Sequence, residues 1–599
     1  MITFPSFSEK NHTSFVLFGL FFVVFGWFTL SLAISGFFFF PLLVFALLIG
    51  GALPLLIGIK LLWHAKNDIR VVFFLSLCFA IFIALSSEPT VFSGRDQGSI
   101  AEAAFRLAQN NELAFTNKTT ISFFEIYGEG TALNFPGFAY TDGGYLVTQF
   151  PLGYTAWLAA FVSVFGFIGP NISNALLLFL FFITLYHLLR LFVCPFYAGA
   201  GLLVSLFSFL PLWFAKMTLS ENLALFLFTF LVFNLLLFFR EGKRLYYFSI
   251  LLTGGLFAFT RIEGFLFLGL SLLLLFFSTH AISLWKSSPF KSLVFPGIIF
   301  GFFFLRDFFI NLPYYKMIGK ALLKFLGQAE QGNIANSVEM IETSFPLGSV
   351  FFLYGLLTLF TMGLFGILII IKERRFMALL PVAIALPTFL YLFDPNISLD
   401  HPWMLRRYLF SLFPTLLFSS IIGIALLFAK EKIFPITRPT GHRLLSVTII
   451  FLLLISFQYP AWKRAVTFSE NRSLIEQTAA LSQVFTDRDL ILIDRHVTGD
   501  GFSMITGPMQ YLFNKNAVYF FNPHDLEKLN LTPYEHTYLL VPESDQERFM
   551  SIFGERLLFK KSILFIREGL ESLSLEDGSA LKLPEPILQE TNTILFEIH

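Results

Sequence analysis

Stretches of about 20 consecutive apolar residues, each long enough to cross a hydrocarbon core of roughly 30 Å, recur along the first three quarters of this chain. No other feature constrains its fold as much. In lipid every backbone amide and carbonyl must find its partner within the chain, so such stretches have to be helices. Only 14% of the 599 residues are charged, against roughly 25% in soluble domains. The chain reads as a polytopic α-helical membrane protein.

Candidate spans are 14–35, 38–63, 70–86, 171–190, 195–214, 220–239, 246–260, 264–280, 292–311, 347–371, 376–393, 408–429 and 444–460. Neither a basic stretch before the first run nor a cleavage motif after it is evident, so it is expected to be retained. Charge decides whether 152–168 also crosses. With the N-terminus inside and 152–168 laid along the outer interface, Lys60, Lys66 and Arg70, then Arg190, Arg240, Lys243, Arg244, Lys286, Lys291, Lys372, Arg374, Arg375, Lys430, Lys432, Arg438 and Arg443 all fall inside. That satisfies the positive-inside rule, and a further crossing would invert it. The count is about thirteen spans, with the C-terminus outside.

Two units follow: a transmembrane domain, 1–460, whose first outer loop is 87–170, and an outer domain, 461–599. In the outer domain DLILIDRH (489–496), AVYFF (517–521), TYLLVPE (537–543) and SILFIRE (562–568) read as short strands. SLIEQTAALSQVF (473–485) and DQERFMSIF (545–553) read as helices, giving a small α/β domain. The formal net charge is +1, and no basic domain or zinc-finger spacing is present, so nucleic acid is excluded as a partner. Cys78 and Cys194 lie in or beside apolar spans without metal-ligand spacing. No HExxH, Walker loop or GxSxG motif occurs, which argues against protease, nucleotide hydrolase and serine esterase.

The first outer loop opens with VFSGRDQGSIAEAAFRLAQNNEL (91–113). Ser99 and Glu102 form a capping box, and Ile100, Ala103, Ala104, Leu107 and Ala108 make the apolar stripe of a helix lying on a membrane surface. Asp96 is then just ahead of the helix start, where free amides and the dipole favour negative charge, with Arg95 beside it. Such a carboxylate at the lipid–water boundary can take a proton from a hydroxyl.

This loop resembles the first outer loop of the GT-C glycosyltransferases, integral membrane enzymes that take a sugar from a polyprenyl- or dolichyl-phosphate carrier and include protein O-mannosyltransferases and the lipid A aminoarabinose transferase. Further stretches resemble the family in the same order. They are QFPLGYTAWLAAFVSVFG (149–166), KMTLSENLALFLFTF (216–230), FAFTRIEGFLF (257–267), LRDFFINLPYYKMIGK (305–320) and HPWMLRRYLFSLFPTLL (401–417). Two departures stand out. Gln97 occupies a position where the family often has a second acid, and Asn311-Leu312-Pro313 reverses the family's Pro-Asn pair.

The resemblance implies a GT-C-like fold in a plasma or bacterial inner membrane. It implies a lipid-linked sugar donor, a glycan, lipid or protein acceptor, and Asp96 as catalytic base. Glu221, at the outer start of a span, either complements its helix dipole or serves as a second carboxylate holding the acceptor or a divalent cation. Arg261 and Glu263 interrupt apolar runs; they form an ion pair, or Arg261 faces the cavity as a further ligand of the donor phosphate with Glu263 assisting. Arg406 and Arg407 stand on the outer side against the charge trend; they either snorkel or bind the donor phosphate, as guanidinium forks do. Lys316 is a further phosphate candidate, His401 a possible assistant, and Arg306 with Asp307 a structural pair. A transporter or flippase of a lipid-linked glycan is the alternative, but no related halves are visible in the sequence.

Overall fold

The computed structural model describes residues 9–325, 346–393, 395, 397, 402–429, 431, 434–571 and 582–599. Every apolar stretch named above is helical. Among the described residues six helices are long and apolar enough to cross a membrane, or nine if each bent pair is one span. The pairs are Pro195–Leu206 with Phe209–Ala215 (53°), Glu263–Phe276 with Thr279–Ser287 (86°) and Leu347–Leu353 with Leu356–Lys372 (110°). Gly51–His64, Phe376–Leu392 and Leu412–Phe428 are shorter apolar segments. Hydropathy counts about thirteen because it also admits shorter apolar helices, such as Arg244–Ala258 with 15 residues and Leu412–Phe428 with 17.

The run Leu152–Arg190 is helical for 39 residues, too long for one crossing at about 1.5 Å per residue. It divides at Gly166, whose φ of 59° closes the Leu152–Phe165 helix. The Gly169–Arg190 helix then packs back against it: Tyr154 Oη donates to Asn174 Oδ1 (2.7 Å) and Trp157 Nε1 to Ser173 Oγ (2.9 Å). With 14 residues the first of these helices is too short to span by itself, and residues 152–162 are all buried in protein.

The Leu356–Lys372 and Leu412–Phe428 helices cross almost backbone to backbone. A Cβ on Gly366 would lie 2.1 Å from Ser419 O, and one on Gly423 would lie 2.5 Å from Gly366 Cα. Small residues at such crossings replace the hydrophobic drive that lipid cannot supply. The second of these helices continues the short 3-10 turn Trp403–Tyr408, so the crossing sets where that turn sits.

Two sheets lie outside the helical bundle. Strands β1 (Gly130–Thr131), β2 (Phe138–Tyr140) and β3 (Leu146–Thr148) form an antiparallel meander in the first outer loop. Strands β4 (Leu490–Ile493), β5 (Asn516–Tyr519), β6 (Thr537–Pro542), β7 (Leu557–Leu570) and β8 (Pro586–Ile598) form a sheet ordered β5-β4-β6-β8-β7. β4 runs parallel to β5 and β6; β8 pairs antiparallel with β6 and β7. The sequence reading missed β8 and cut β7 short. The helices Leu474–Ser482 and Gln546–Phe553 fall where its two helical patterns place them.

The first outer loop and the C-terminal domain share one core. Phe115, Phe123, Phe138 and Tyr140 pack with Leu490, Val518, Leu539 and Phe596. Tyr511 Oη donates to Val91 O (2.7 Å), and Asn134 Nδ2 to Tyr519 O (2.7 Å). A boundary at 460/461 therefore divides the chain without dividing the packing, and it falls inside the His442–Thr467 helix.

The glycine crossing yields a test. Gly366→Leu is expected to cost about 1–3 kcal/mol through overpacking, read as a lowered melting temperature in detergent. Gly301→Leu, where an added Cβ meets nothing within 4 Å, is expected to change stability by less than about 0.5 kcal/mol.

Candidate active site

Three carboxylates stand in the first turn of three different helices. Asp96 is the first residue of Asp96–Asn110, Glu221 the second of Ser220–Glu241, and Glu263 the first of Glu263–Phe276. The unsatisfied amides and dipole of each helix start favour negative charge there. Two guanidiniums interleave them. Arg406 Nη1 lies 2.7 Å from Asp96 Oδ2, and its Nε lies 3.7 Å from Glu221 Oε1. Arg261 Nη1 lies 2.7 Å from the same Glu221 oxygen, and its Nη2 lies 3.0 Å from Glu263 Oε1. Tyr391 Oη closes the chain by donating to Glu263 Oε1 (2.6 Å).

The groups differ in access. The Glu221 and Glu263 side chains are 4% and 8% exposed, whereas Asp96 is 41% exposed. Glu221 and Glu263 are structural anchors in this arrangement, and Asp96 is the carboxylate that a solute can reach.

The helix bearing Asp96 begins one turn earlier than a capping box predicts. Arg95 is its N-cap, without a side-chain cap bond. Ser99 instead donates to Pro136 O (2.8 Å), and Glu102 pairs with Arg106 (2.7 Å). Nor does this helix lie on lipid. Residues 97–107 are buried, packed between the Leu152–Phe165 helix and the outer domain, with Arg106 Nη2 donating to Gln510 Oε1 at 2.5 Å. Gly98 permits its close seating, since a Cβ there would stand 1.6 Å from Phe92 O.

Thr218 ties this helix start to the turn before Glu221. Its hydroxyl donates to Gln97 O (2.5 Å), and its amide to Thr90 Oγ1 (2.9 Å). Asn222 Nδ2 holds the same turn through Phe214 O and Met217 O.

Arg406 and Arg407 have separate surroundings. They lie on a 3-10 turn, where successive side chains diverge by about 120°. Arg406 is paired as above and lies 4.3 Å over the Trp403 ring. Arg407 lies 6.0 Å over the Tyr391 ring and has no carboxylate partner among the described residues. Arg95 lies over the rings of Trp403 (5.2 Å) and Phe502 (4.3 Å) and 3.8 Å from Glu470. Lys316 is exposed and paired with Glu129 at 3.2 Å. His401 lies outside the described residues.

Arg306 and Asp307 do not form a pair. As neighbours on a helix they face different directions: Arg306 donates to Ile34 O (3.3 Å), and Asp307 accepts from the Tyr315 hydroxyl. Tyr314 is buried within electrostatic reach of Glu263 and Arg261, and burial pushes its phenol above the ordinary range, so it remains a hydroxyl. Tyr391, Trp403 and Phe502 carried no sequence signal, being aromatic residues in a chain with 84 Phe. Among the described residues no group of three or more His, Cys, Asp or Glu side chains is gathered as a metal site. Carboxylates interleaved with guanidiniums do not fit a divalent cation.

No family model and no curated protein matches the chain. Among solved structures it is similar to the apo oligosaccharyltransferase of Archaeoglobus fulgidus, with 14% identity and a TM-score of 0.46 over 74% of this chain. The chain spans 59% of that protein's length. It is also similar to ArnT from Cupriavidus metallidurans bound to undecaprenyl phosphate, with 11% identity and a TM-score of 0.48, covering 89% of this chain and 98% of that one.

The interleaved charges separate two cations that the sequence treats alike. Arg261→Met leaves Glu221 and Glu263 buried without that partner and is expected to destabilise by about 3–5 kcal/mol. Lys316→Met removes an exposed pair and is expected to cost less than about 1 kcal/mol. Thermal unfolding in detergent compares the two.

Proposed function

We propose that this protein is a membrane glycosyltransferase moving a sugar from a polyprenyl-phosphate carrier to a hydroxyl acceptor on the extracytoplasmic face. In this reading the N-terminus is cytoplasmic and the C-terminal domain lies outside, the sidedness that the distribution of basic residues supports. One observation carries the reading: a reachable carboxylate on the first outer loop is in ion-pair contact with a late guanidinium, Asp96 with Arg406. A base for a hydroxyl and a cationic site for a leaving phosphate are the two groups that such a transfer needs in one place.

The acceptor oxygen attacks the anomeric carbon while the bond from that carbon to the phosphate oxygen breaks. Asp96 takes the acceptor's proton. The phosphate leaves on its lipid, and the charge it gathers is stabilised by guanidinium. Arg406 and Arg407 share that task, Arg407 having no carboxylate partner among the described residues. A donor phosphate drawn to Arg406 competes with Asp96, so the base is released when the donor is in place. Glu221, Glu263 and Arg261 keep the geometry.

Two variants test the reading. Asp96→Asn is expected to reduce transfer by at least about a hundredfold, the range of general-base loss, with binding of the lipid-linked donor retained. Purified protein, a panel of polyprenyl-phosphate sugars and acceptors make the measurement; wild-type turnover in the variant removes Asp96 as base. Arg407→Ala is expected to weaken polyprenyl-phosphate binding about tenfold or more, measured by ligand-induced thermal stabilisation; unchanged binding removes it from the phosphate site. Carrier movement in liposomes without product points to a flippase instead.

A further inference from the structure

We infer that Phe502, on the loop after β4, is the acceptor-side platform of this site and stacks a carbohydrate ring of the acceptor. The inference rests on the proposed transferase reading and names the chemistry of its second substrate.

The position comes from topology. The chain leaves β4 for β5 on one side, then crosses to β6 on the other. The carboxyl end of β4 is therefore a switch point, where open α/β sheets leave a crevice for ligands. The loop at that end holds Phe502 with 39% of its surface exposed, although Thr498, Ser503 and Met504 around it are buried.

The exposure of that ring is built into the loop. Asp500 Oδ1 accepts from the amides of Phe502 and Ser503, both at 2.7 Å. Asp500 is held in turn by Arg567 at 2.5 Å, whose side chain is 4% exposed and which also donates to Thr498 O (2.8 Å). Gln589 Nε2 donates to Gly499 O (2.9 Å), and Arg495 Nη2 to Gly501 O (3.2 Å). A buried arginine and a ring of hydrogen bonds thus fix a loop whose tip is apolar and open.

The loop docks beside the base. Ser93 and Met504 exchange two backbone hydrogen bonds, at 2.9 and 3.0 Å. The Arg95 guanidinium lies 4.3 Å over the Phe502 ring, and Asp96 is the next residue. A lipid-linked donor must reach the pocket from the membrane, where Arg406 and Arg407 stand ahead of the apolar Leu412–Phe428 helix. Phe502 comes from the outer domain and so belongs to the other substrate. An aromatic ring partly exposed beyond the face that Arg95 covers, beside a carboxylate that deprotonates a hydroxyl, suits a sugar, which offers an apolar C–H face and hydroxyls together.

The test uses the full-length protein in detergent, a panel of polyprenyl-phosphate sugars as donors, and two acceptors, octyl β-glucoside and a serine-containing peptide. Phe502→Ala is expected to raise the KM for octyl β-glucoside about tenfold and to leave the KM for the donor in place. Phe502→Tyr restores the acceptor KM, and Phe502→Leu does not. The inference is overturned if Leu rescues as well as Tyr, if donor and acceptor KM move together, if acceptor KM stays fixed, or if the wild type glycosylates the peptide but not the glucoside. Absence of transfer by the wild type to either acceptor overturns the transferase reading and this inference with it.

Discussion

Interleaved charge holds one end of this protein's helical bundle together. Three helix starts, each presenting a carboxylate, would repel one another if brought to one place alone. Arg261 and Arg406 make the meeting favourable, because each bridges two of the three. The elements concerned come from four regions: the first outer loop, the Ser220–Glu241 helix, the turn before Glu263–Phe276, and the 3-10 turn ahead of Leu412–Phe428. In water such pairs contribute little. At the end of an apolar bundle, with Glu221 and Glu263 nearly closed off, an unpaired member is costly. The cluster therefore fixes the relative placement of helices that lipid-facing surfaces cannot specify.

Asp96 is held from two directions. From the membrane side Thr218 fastens the backbone of Gln97, and Arg406 meets the Asp96 carboxylate. From the outer side the C-terminal domain grips the residues just before it, through the Ser93–Met504 pair and through Tyr511 on Val91 O. The helix that follows is buried from Gln97 to Leu107, so the start of that helix cannot drift. A base that must meet one hydroxyl gains most from such preorganisation. The shared core of outer loop and C-terminal domain explains why a domain so remote in sequence belongs to the site.

Much of this was legible in the sequence, and the rest fails for identifiable reasons. Apolar length marked the long helices of the bundle, since lipid leaves the backbone no other choice. Charge left 152–168 out of the span count; the structure divides the helix at Gly166 and buries 152–162 in protein. The capping box at Ser99 and Glu102 was a local pattern overruled by tertiary partners, Pro136 O and Arg106. The apolar stripe of that helix was real, but a stripe does not say whether lipid or protein covers it. Composition flagged Arg406 and Arg407 as a pair, yet no sequence pattern distinguishes a 3-10 turn from an α-helical one there, and that geometry sends them to different partners. Phe502 was invisible because its role depends on a sheet order that only the fold reveals.

The resting contact between Asp96 and Arg406 bears on the proposed chemistry in one further way. In the resting contact Arg406 occupies the Asp96 oxygen Oδ2 that an acceptor hydroxyl would approach. In the proposed reaction, a pair kept intact throughout would leave that oxygen blocked. A donor phosphate offers Arg406 more negative charge than a carboxylate, in a fork geometry that guanidinium matches. Exchange of partners is then favourable only when donor arrives, and it frees Asp96 Oδ2 at the same moment. Glu221 keeps Arg406 in place during that exchange through its second contact. The carboxylate that looks redundant next to Asp96 is what allows Asp96 to let go.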